Sequence, residues 1–366
     1  MATRLEVRTS LFVTPVLVQR GLFDSLGWQL LECLREAPTS IALISDSNVG
    51  PLYAERAMKS LAELGPLALT EIVPAGEASK SGDLLLRLSR RMAAAGLDRN
   101  ALVVALGGGV VTDLAGFAAS IFKRGIGFVP VPSSLLGQVD AAIGGKTGID
   151  LPEGKNLVGT FHHPRAVIID PNLLHSLPAE EWRNGLGEVL KYAVMGDSEM
   201  FAQLDQCDPA SLRSAPEEIE PLVARCAGMK TDVCSRDPND LGERQGLNLG
   251  HTIGHALEAA AGFSSLHHGE AVALGLIGEA DLAARLGLAD PHLRESIQAA
   301  CGRLGLPTRA EGLDPAEVRA FLLSDKKRVG AALRFALPLR IGAFRIVDVE
   351  DPTLIDLVLA RLTENS

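Results

Sequence analysis

The second half of the chain places a carboxylate, an ammonium group and several imidazoles at helical spacing. Glu188 and Lys191 are three residues apart in GLGEVLKYA, so a helix would place both on one face. His251 and His255 are four residues apart in LNLGHTIGHALEA, and His268 follows in HHGEAVALG. One carboxylate with two or more histidines can bind a divalent metal ion and leave coordination positions open for a substrate. A single histidine on an apolar helix is usually a core residue, but three beside glycines in this short stretch favour a metal site.

A glycine-rich segment in the first half gathers charged and amide side chains. Asp140, Lys146, Lys155 and Asn156 lie among five glycines in SSLLGQVDAAIGGKTGIDLPEGKN at 133–156. Glycines allow close approach of the backbone, and lysines supply positive charge for an anionic ligand. The alternative is a solvated loop with incidental lysines, and the segment alone does not decide between the two.

Two further stretches directly follow apolar runs. The glycines at 107–109 close ALVVALGGG, where backbone amides can approach a phosphate at the start of a helix. They depart from the GxGxxG fingerprint because Thr112 replaces its third glycine, so a structural turn is an equal alternative. Asp46-Ser47-Asn48 follows a strand-like run and can bind a ribose, although Asp is also a common turn residue.

The elements that must position these residues are visible as apolar, β-branched runs alternating with helical patterns. The predicted strands are 41–46, 101–109, 127–132 and 166–170. Such runs, separated by helices, predict a parallel sheet covered on both faces. Ligands of such sheets bind beyond the carboxyl ends of the strands, which places Asp46, Gly107 and Ser133 at the functional edge.

After Pro171 the pattern becomes mainly helical. The helical stretches are 173–204, 215–236, 248–285 and 289–304, and a hairpin is expected within 333–348. The predicted fold is therefore an α/β N-terminal domain with a parallel sheet, residues 1–170, followed by a mainly α-helical C-terminal domain, residues 171–366.

Composition limits the partners and the compartment. The net charge of −10 disfavours nucleic acid and anionic membranes as main partners, although local lysines and arginines can still bind a small anion. Five scattered cysteines without a CxxC pair indicate reduced thiols. The N-terminus has no apolar signal region, and no apolar run approaches the ~18 residues of a membrane span. A cytoplasmic protein is expected.

Together, these segments resemble the 3-dehydroquinate synthase family of sugar phosphate cyclases, from about residue 41 to 345. The resemblance is carried by GGGVVTDLAGF, KRGIGFVPVPSSLLGQVDAAIGGKTG, GKNLVGTFHHP, GLGEVLKY, LNLGHTIGHALEA, HGEAVALG and DKK, in the family's order. It implies a nucleotide-binding N-terminal α/β domain, a helical C-terminal domain, and an active site between them. It also implies the cofactors NAD and a divalent metal, zinc or cobalt.

The resemblance implies roles for individual residues at the matching motif positions. The implied metal ligands are Glu188, His251 and His268. The implied NAD-binding residues are Asp46, Asn48, Glu77, Lys80, Gly107, Gly108, Gly109, Asp113, Ser133, Ser134, Lys146 and Lys155. The implied catalytic and substrate-binding residues are Asp140, Lys146, Asn156, Lys191, Lys230, Arg244, Asn248, His255, and Lys326 or Lys327 of the DKK motif. Arg124 matches a family residue that reaches a neighbouring subunit, which implies a homodimer.

Four departures from the family pattern lie at or near these residues, and one of them is Thr112, which stands where glycine is common. Ser133-Ser134 stand where two threonines are usual, and Gly187 stands where alanine is usual. His267 replaces an apolar residue before His268. Because His268 directly precedes Gly-Glu, it is the expected metal ligand of the pair.

The implied reaction converts an anionic sugar phosphate, 3-deoxy-D-arabino-heptulosonate 7-phosphate, into 3-dehydroquinate and phosphate in the shikimate pathway of aromatic amino acid biosynthesis. NAD would accept a hydride and return it, the metal would acidify the hydroxyl that is oxidised, and an intramolecular aldol reaction would close the ring. The alternatives are a sister cyclase acting on sedoheptulose 7-phosphate, a deoxy-inosose synthase, a metal-dependent polyol dehydrogenase, and a non-catalytic NAD-binding scaffold.

Overall fold

The chain is described by a computed structural model that covers residues 2–262, 265–324, 328–329 and 332–364. It divides into two compact units. The first contains Met1–Leu177 and Ala215–Asn239, and the second contains Pro178–Ser214 and Asp240–Ser366. Among the described residues, no helix combines the length and the apolar character that a bilayer span requires.

Strands and helices alternate in the first half of the chain, and helices dominate the second half. The strands are β1 (Thr3–Arg8), β2 (Val13–Val18), β3 (Ile41–Asp46), β4 (Leu67–Val73), β5 (Leu102–Gly107), β6 (Gly127–Pro132), β7 (Lys146–Leu151), β8 (Gly154–Phe161), β9 (Val167–Ile169), β10 (Arg328–Val329), β11 (Ala332–Arg340) and β12 (Ala343–Val349). The helices are α1 (Leu26–Cys33), α2 (Gly50–Leu61), α3 (Gly82–Ala94), α4 (Gly109–Ile121), α5 (Ala179–Gly196), α6 (Ser198–Leu204), α7 (Pro209–Ser214), α8 (Pro216–Arg236), α9 (His251–Ala260), α10 (His268–Arg285), α11 (His292–Arg303), α12 (Pro315–Ser324) and α13 (Pro352–Thr363). Short 3-10 helices lie at Leu22–Ser25, Glu77–Ser79, Phe122–Arg124, Pro171–Ser176 and Glu243–Asn248, and a π turn lies at Gly137–Ala141.

The central sheet of the first unit contains four parallel strands in the order β4-β3-β5-β6. Every residue of β3 and β5 is buried, as expected for strands covered on both faces. Ala42 and Ile44 pack into one apolar cluster with α3 and α4, whereas Ile41 and Leu43 pack into another with α1 and α2. The predicted α/β fold with a parallel sheet is confirmed.

The carboxyl ends of three central strands meet at one edge of this sheet. β3 ends at Asp46, β5 ends at Gly107, and β6 is followed by Ser133. The backbone N–H of Ser133 donates to the carbonyl of Gly107 at 2.9 Å. The expectation that Asp46, Gly107 and Ser133 share an edge is therefore confirmed.

Two other sheets of the first unit differ from the expectation. The strand predicted at 166–170 forms as β9, but it pairs in parallel with β2 in a sheet ordered β1-β2-β9, outside the central sheet. The irregular segment 133–156 contains the π turn and then enters the antiparallel hairpin β7–β8. Strand β8 is mostly exposed, so it lacks the alternation of apolar and polar residues that marks a strand in a sequence.

The second unit is built around α10, which is buried almost throughout. A helix that is apolar on all sides is expected at the centre of a helical unit. The predicted helical stretch 248–285 is divided into α9 and α10, and the chain turns between them at Gly262, whose φ is +65°. The predicted hairpin forms as the antiparallel pair β11 and β12, which confirms the strand expectation at 333–348.

Helix α8 belongs to the first unit although it follows part of the second in sequence. The backbone N–H of Arg8 in β1 donates to Oγ of Ser235 at 2.9 Å. Lys230 of α8 forms an ion pair with Asp140 on the π turn. The division expected from the sequence, 1–170 and 171–366, places α8 with the other helices, because helical periodicity does not reveal which unit a helix packs against.

Candidate active site

Three elements of the second unit bring together Glu188, His251 and His268. The side chain of Glu188 on α5 is fully buried, and its Oε1 lies 3.3 Å from Nε2 of each histidine. His251 begins α9 and His268 begins α10. The ligand atoms of the three residues all lie within 4.8 Å of one another. This is the donor set, one carboxylate and two imidazoles, that the sequence analysis singled out as a metal site.

The hydrogen bonds of the two histidines suit metal binding through Nε2. Nδ1 of His251 donates to the carbonyl of Leu249 at 3.0 Å, and Nδ1 of His268 donates to Oε2 of Glu258 at 3.0 Å. Because these partners only accept hydrogen bonds, each Nδ1 carries a proton, and Nε2 is the nitrogen that can offer a lone pair to a cation once it carries no proton of its own. Such carboxylate–histidine pairs commonly orient metal ligands.

The carboxylate of Glu188 supports the same interpretation. Both of its oxygens are buried and accept no hydrogen bond of normal geometry from the described residues, although Nζ of Lys191 lies 2.5 Å from Oε2. A buried carboxylate is costly unless charges or hydrogen bonds compensate it. Lys191 supplies part of that compensation at Oε2, and a divalent cation beside Oε1 would add to it, so the residues present fit a zinc-like ion.

Electrostatics keep the glutamate ionised. Burial alone would raise the pKa of Glu188, but Lys191 and the two histidines outweigh burial and hold that pKa well below its usual range. Burial opposes a charge on His268, yet its contacts with the carboxylates of Glu188 and Glu258 raise the pKa of that imidazole to about 10. Burial lowers the pKa of His251 despite the adjacent glutamate. A bound cation would therefore compete with a proton for His268.

The neighbouring histidines have different surroundings. The ring of His255 is exposed, and its centroid lies 5.3 Å from that of His251 and 5.9 Å from that of His268. His255, Glu258 and His268 form a second group with metal-ligand spacing, but Glu258 already accepts from Nδ1 of His268. His267 is the N-cap residue of α10, and its backbone N–H donates to Glu270 at 3.1 Å. The structure thus places His268 in the cluster and His267 at a helix cap.

Two glycines allow α5, which carries Glu188, and α10, which begins at His268, to approach closely. A Cβ on Gly187 would overlap the carbonyl of Gly269, and a Cβ on Gly269 would overlap the carbonyl of Asn184. Oδ1 of Asn184 also accepts a hydrogen bond from the backbone N–H of Gly269 at 2.8 Å. The departure from the usual alanine at 187 therefore coincides with a close contact beside both Glu188 and His268.

A second polar cluster lies in the first unit around Lys80. Its Nζ donates to Oδ2 of Asp113 at 2.9 Å and to Oδ1 of Asn156 at 2.5 Å, and it lies 3.6 Å from Glu77 and 3.9 Å from Asp150. Burial disfavours the charge of Lys80, but Asp113 and Glu77 outweigh burial and raise its pKa. Burial raises the pKa of Asp113 to about 6 in spite of Lys80. The cluster joins residues that the sequence analysis had assigned to NAD and, in Asn156, to the substrate.

The edge of the central sheet contains the other residues expected to bind a nucleotide. Oδ1 of Asp46 accepts the backbone N–H groups of Asn48 and Val49 at 2.8 and 2.9 Å, so Asp46 does serve as a turn residue before α2. The glycines at 107–109 lead into α4, whose N-cap is Gly108. Oγ of Ser134 accepts the N–H of Gly137 at 3.1 Å.

The remaining predicted residues are distributed over both units. In the first unit, Nζ of Lys230 lies 2.9 Å from Oδ1 of Asp140, Lys155 is half-buried, and Lys146 and Arg124 are exposed. In the second unit, Lys191 and Arg244 are each 1% exposed, and Asn248 is half-buried. Lys326 and Lys327 lie outside the described residues.

Two buried glutamates near the cluster were missed by the sequence analysis. Glu258 contacts His268 as described, and Glu279 on α10 accepts the backbone N–H groups of Gly250 and Thr252, on either side of His251. Glu258 could have been found, because it follows His251 by seven residues and His255 by three and so shares their helical face. Glu279 gives no such signal, because other charged residues follow it in the same helical stretch and a carboxylate there is usually a surface residue.

Comparison with known proteins gives consistent matches along the chain. The family models for the 3-dehydroquinate synthase N-terminal and C-terminal regions match residues 70–184 and 185–328. The 3-dehydroquinate synthase of Acidithiobacillus ferrooxidans (strain ATCC 53993 / BNL-5-31) is 42% identical over 325 residues, 89% of each chain.

Solved structures of related cyclases have the same fold. A 2-deoxy-scyllo-inosose synthase complexed with carbaglucose-6-phosphate, NAD+ and Co2+ gives a TM-score of 0.88 at 26% identity, covering 98% of this chain and 100% of that one. ValA, a 2-epi-5-epi-valiolone synthase from Streptomyces hygroscopicus subsp. jinggangensis 5008 with NAD+ and Zn2+ bound, gives 0.84 at 30% identity, covering 95% and 96%.

Proposed function

Because the chain belongs to the 3-dehydroquinate synthase family, we propose that it converts 3-deoxy-D-arabino-heptulosonate 7-phosphate into 3-dehydroquinate and phosphate. It is a carbon–oxygen lyase that eliminates phosphate and closes a carbocycle. The single structural observation that supports this activity best is the cluster of Glu188, His251 and His268, because it combines a metal donor set with a buried, ionised carboxylate. Sequence identity favours this substrate over those of the sister cyclases. The chain is 42% identical to the A. ferrooxidans dehydroquinate synthase, but 26–30% identical to the two sister cyclases.

The proposal includes two cofactors. NAD is assigned to the carboxyl edge of the central sheet, where the residues implied by the resemblance to bind it include Asp46, the glycines at 107–109 and Ser133. A zinc or cobalt ion is assigned to Glu188, His251 and His268. When bound, the cation would polarise a substrate hydroxyl and NAD would accept and return a hydride, without net oxidation. The start of α4 at the glycine cluster offers backbone N–H groups suited to the NAD pyrophosphate.

The chain's own residues would bind and orient an anionic substrate. Arg244 is buried, so its guanidinium is held by its surroundings and suits a carboxylate through paired N–H donors. Lys191 keeps Glu188 ionised and presents its ammonium group beside the metal ligands. The exposed imidazole of His255, close to the ligand histidines, is placed to hold or move a proton at a substrate oxygen. Asp140, Lys146, Asn156, Lys230 and Asn248 complete the proposed substrate set.

The proposal is tested by phosphate release from 3-deoxy-D-arabino-heptulosonate 7-phosphate, with NAD and zinc, beside sedoheptulose 7-phosphate. We expect chelator-sensitive release from the first substrate and no accumulation of NADH. Release from the second substrate alone would overturn the substrate assignment but keep the metal and NAD. Steady NADH formation from a polyol without phosphate release would indicate a dehydrogenase instead.

We also propose that the chain forms a homodimer through the β7–β8 hairpin and Arg124. Strand β8 pairs with β7 alone among the described strands, and it exposes Leu157, Val158 and Phe161. An exposed apolar edge strand tends to pair with another chain unless it is covered.

Sedimentation analysis of the wild-type chain should give the mass of a dimer, and Phe161→Asp should shift that mass towards the monomer. The matched control, Leu11→Asp at another exposed apolar site, should remain dimeric, and a wild-type monomer at micromolar concentration would exclude the proposal.

A further inference from the structure

Glu258 is a buried carboxylate of α9 that contacts a metal histidine of another helix. Its side chain is almost fully buried, and Oε2 accepts the hydrogen bond from Nδ1 of His268, the first residue of α10. Because the bond uses Nδ1, it leaves Nε2 of His268 directed at Glu188. Glu258 therefore fixes both the tautomer and the ring orientation of this ligand.

Glu279 joins the same two helices in the opposite direction: it lies on α10 and binds the backbone at the start of α9. Its side chain is fully buried, Oε2 accepts the N–H of Gly250 at 2.5 Å, and Oε1 accepts the N–H of Thr252 at 3.2 Å. These amides lie at the start of α9, where backbone N–H groups have no partner within the helix. Gly250 has a φ of +77°, a left-handed conformation that directs the chain into the helix at His251. Glu279 thus fixes the backbone on both sides of the second histidine.

The two helices therefore hold each other's metal ligand. Helix α9 carries His251 and Glu258, and α10 carries His268 and Glu279. Each glutamate acts on the histidine of the opposite helix. Two buried carboxylates are an expensive way to join two helices, since apolar residues could pack the same contact without burying charge. The free-energy cost of burying these carboxylates is explained if they serve to position the imidazoles and not only to pack the helices.

We propose that Glu258 and Glu279 are positioning residues that form a reciprocal brace for the metal ligands His251 and His268. The proposal rests on the metal site proposed above, but not on the identity of the substrate. The brace holds both Nε2 atoms close to Oε1 of Glu188 before a cation binds, so binding requires less ordering of side chains. Because each glutamate orients a ligand on the other helix, loss of either should loosen the same pair of helices.

The test is zinc affinity of the full chain without NAD, measured by competition with a chelating dye, together with the visible spectrum of the Co2+-loaded protein. Glu258→Ala is expected to weaken zinc binding by ~10–100-fold and to change the Co2+ bands. Glu258→Gln keeps an acceptor for Nδ1 of His268 and should recover part of the loss. Glu279→Gln should also weaken binding, because one of its two acceptor atoms becomes a donor.

The reciprocal character is tested by the double variant. If the glutamates act as one brace, Glu258→Gln with Glu279→Gln should lose less affinity than the product of the single losses. The control is Glu317→Ala, an exposed glutamate of α12, which should bind zinc like the wild type. Wild-type affinity and Co2+ bands in both Gln variants, or independent multiplicative losses, would overturn the brace. If the wild-type chain itself bound no zinc, the proposed metal site, and not the brace alone, would be wrong.

Discussion

Glu188→Gln is expected to remove tightly bound metal and to lower turnover by ~1000-fold. This is the loss expected when the several kcal/mol by which the metal stabilises the transition state disappear. The substitution preserves shape but replaces an anion with a neutral amide. That amide would lie where Oε2 now sits 2.5 Å from the ammonium group of Lys191 and Oε1 sits 3.3 Å from two imidazoles. Metal content after purification and phosphate release would be measured together.

Glu180→Gln is the matched control for this prediction, because Glu180 is an exposed residue of the same helix, two turns before Glu188. It should retain metal and activity. Wild-type zinc content and turnover in the Glu188 variant would show that the buried carboxylate is not a metal ligand. An unchanged thermal midpoint of both metal-free variants would show that the loss does not come from unfolding.

Arg244→Ala is expected to lower kcat/KM for 3-deoxy-D-arabino-heptulosonate 7-phosphate by an amount equivalent to roughly 2–5 kcal/mol, while zinc affinity stays near that of the wild type. The guanidinium is 1% exposed and is proposed to bind the substrate carboxylate. Removing it would leave that carboxylate without its charged donors in a buried place. Arg244→Lys keeps the charge without the paired donors, so its loss should be intermediate.

Arg345→Ala, at an exposed position of β12, serves as the control for loss of an arginine and should behave as the wild type. Circular dichroism of the Arg244 variants would identify any general loss of structure, which a buried substitution can cause. Full activity of a folded Arg244→Ala variant would refute the assignment of this residue to the substrate carboxylate and would favour a cyclase substrate without one.

The strands of the central sheet could be predicted because the pattern that marks each strand lies within its own short stretch of sequence. Continuous apolar runs such as 41–46 and 127–132 are too short for helices and end in polar or turn residues, and the structure forms β3 and β6 at those positions. The shared edge of Asp46, Gly107 and Ser133 then follows from parallel pairing. The helical spacing of Glu188 with Lys191, and of His251 with His255, similarly predicted shared helix faces, and the structure brings Glu188 and His251 into one cluster.

Other features depend on contacts between distant segments. Strand β8 of the hairpin is mostly solvent-exposed, so burial leaves no alternating pattern in its sequence. Helix α8 has ordinary amphipathic spacing, and this pattern does not predict that the helix packs against β1. Glu279 reads as a charge on a helix surface, and only the close packing of α9 against α10 makes it a buried acceptor for the backbone of Gly250.

The place of α8 in the first unit has a consequence for biosynthesis. As the chain leaves the ribosome, β1 and the central sheet emerge before residues 178–214, which belong to the other unit, and α8 follows only after them. The apolar faces that α8 covers must stay uncovered during that interval, as surfaces that chaperones or other nascent chains can bind. The contacts between β1 and α8 also join segments more than two hundred residues apart, so the final step of folding has high contact order and should be slow. A released chain that ends at Leu177 should therefore be more sensitive to proteolysis than a released chain that ends at Asn239.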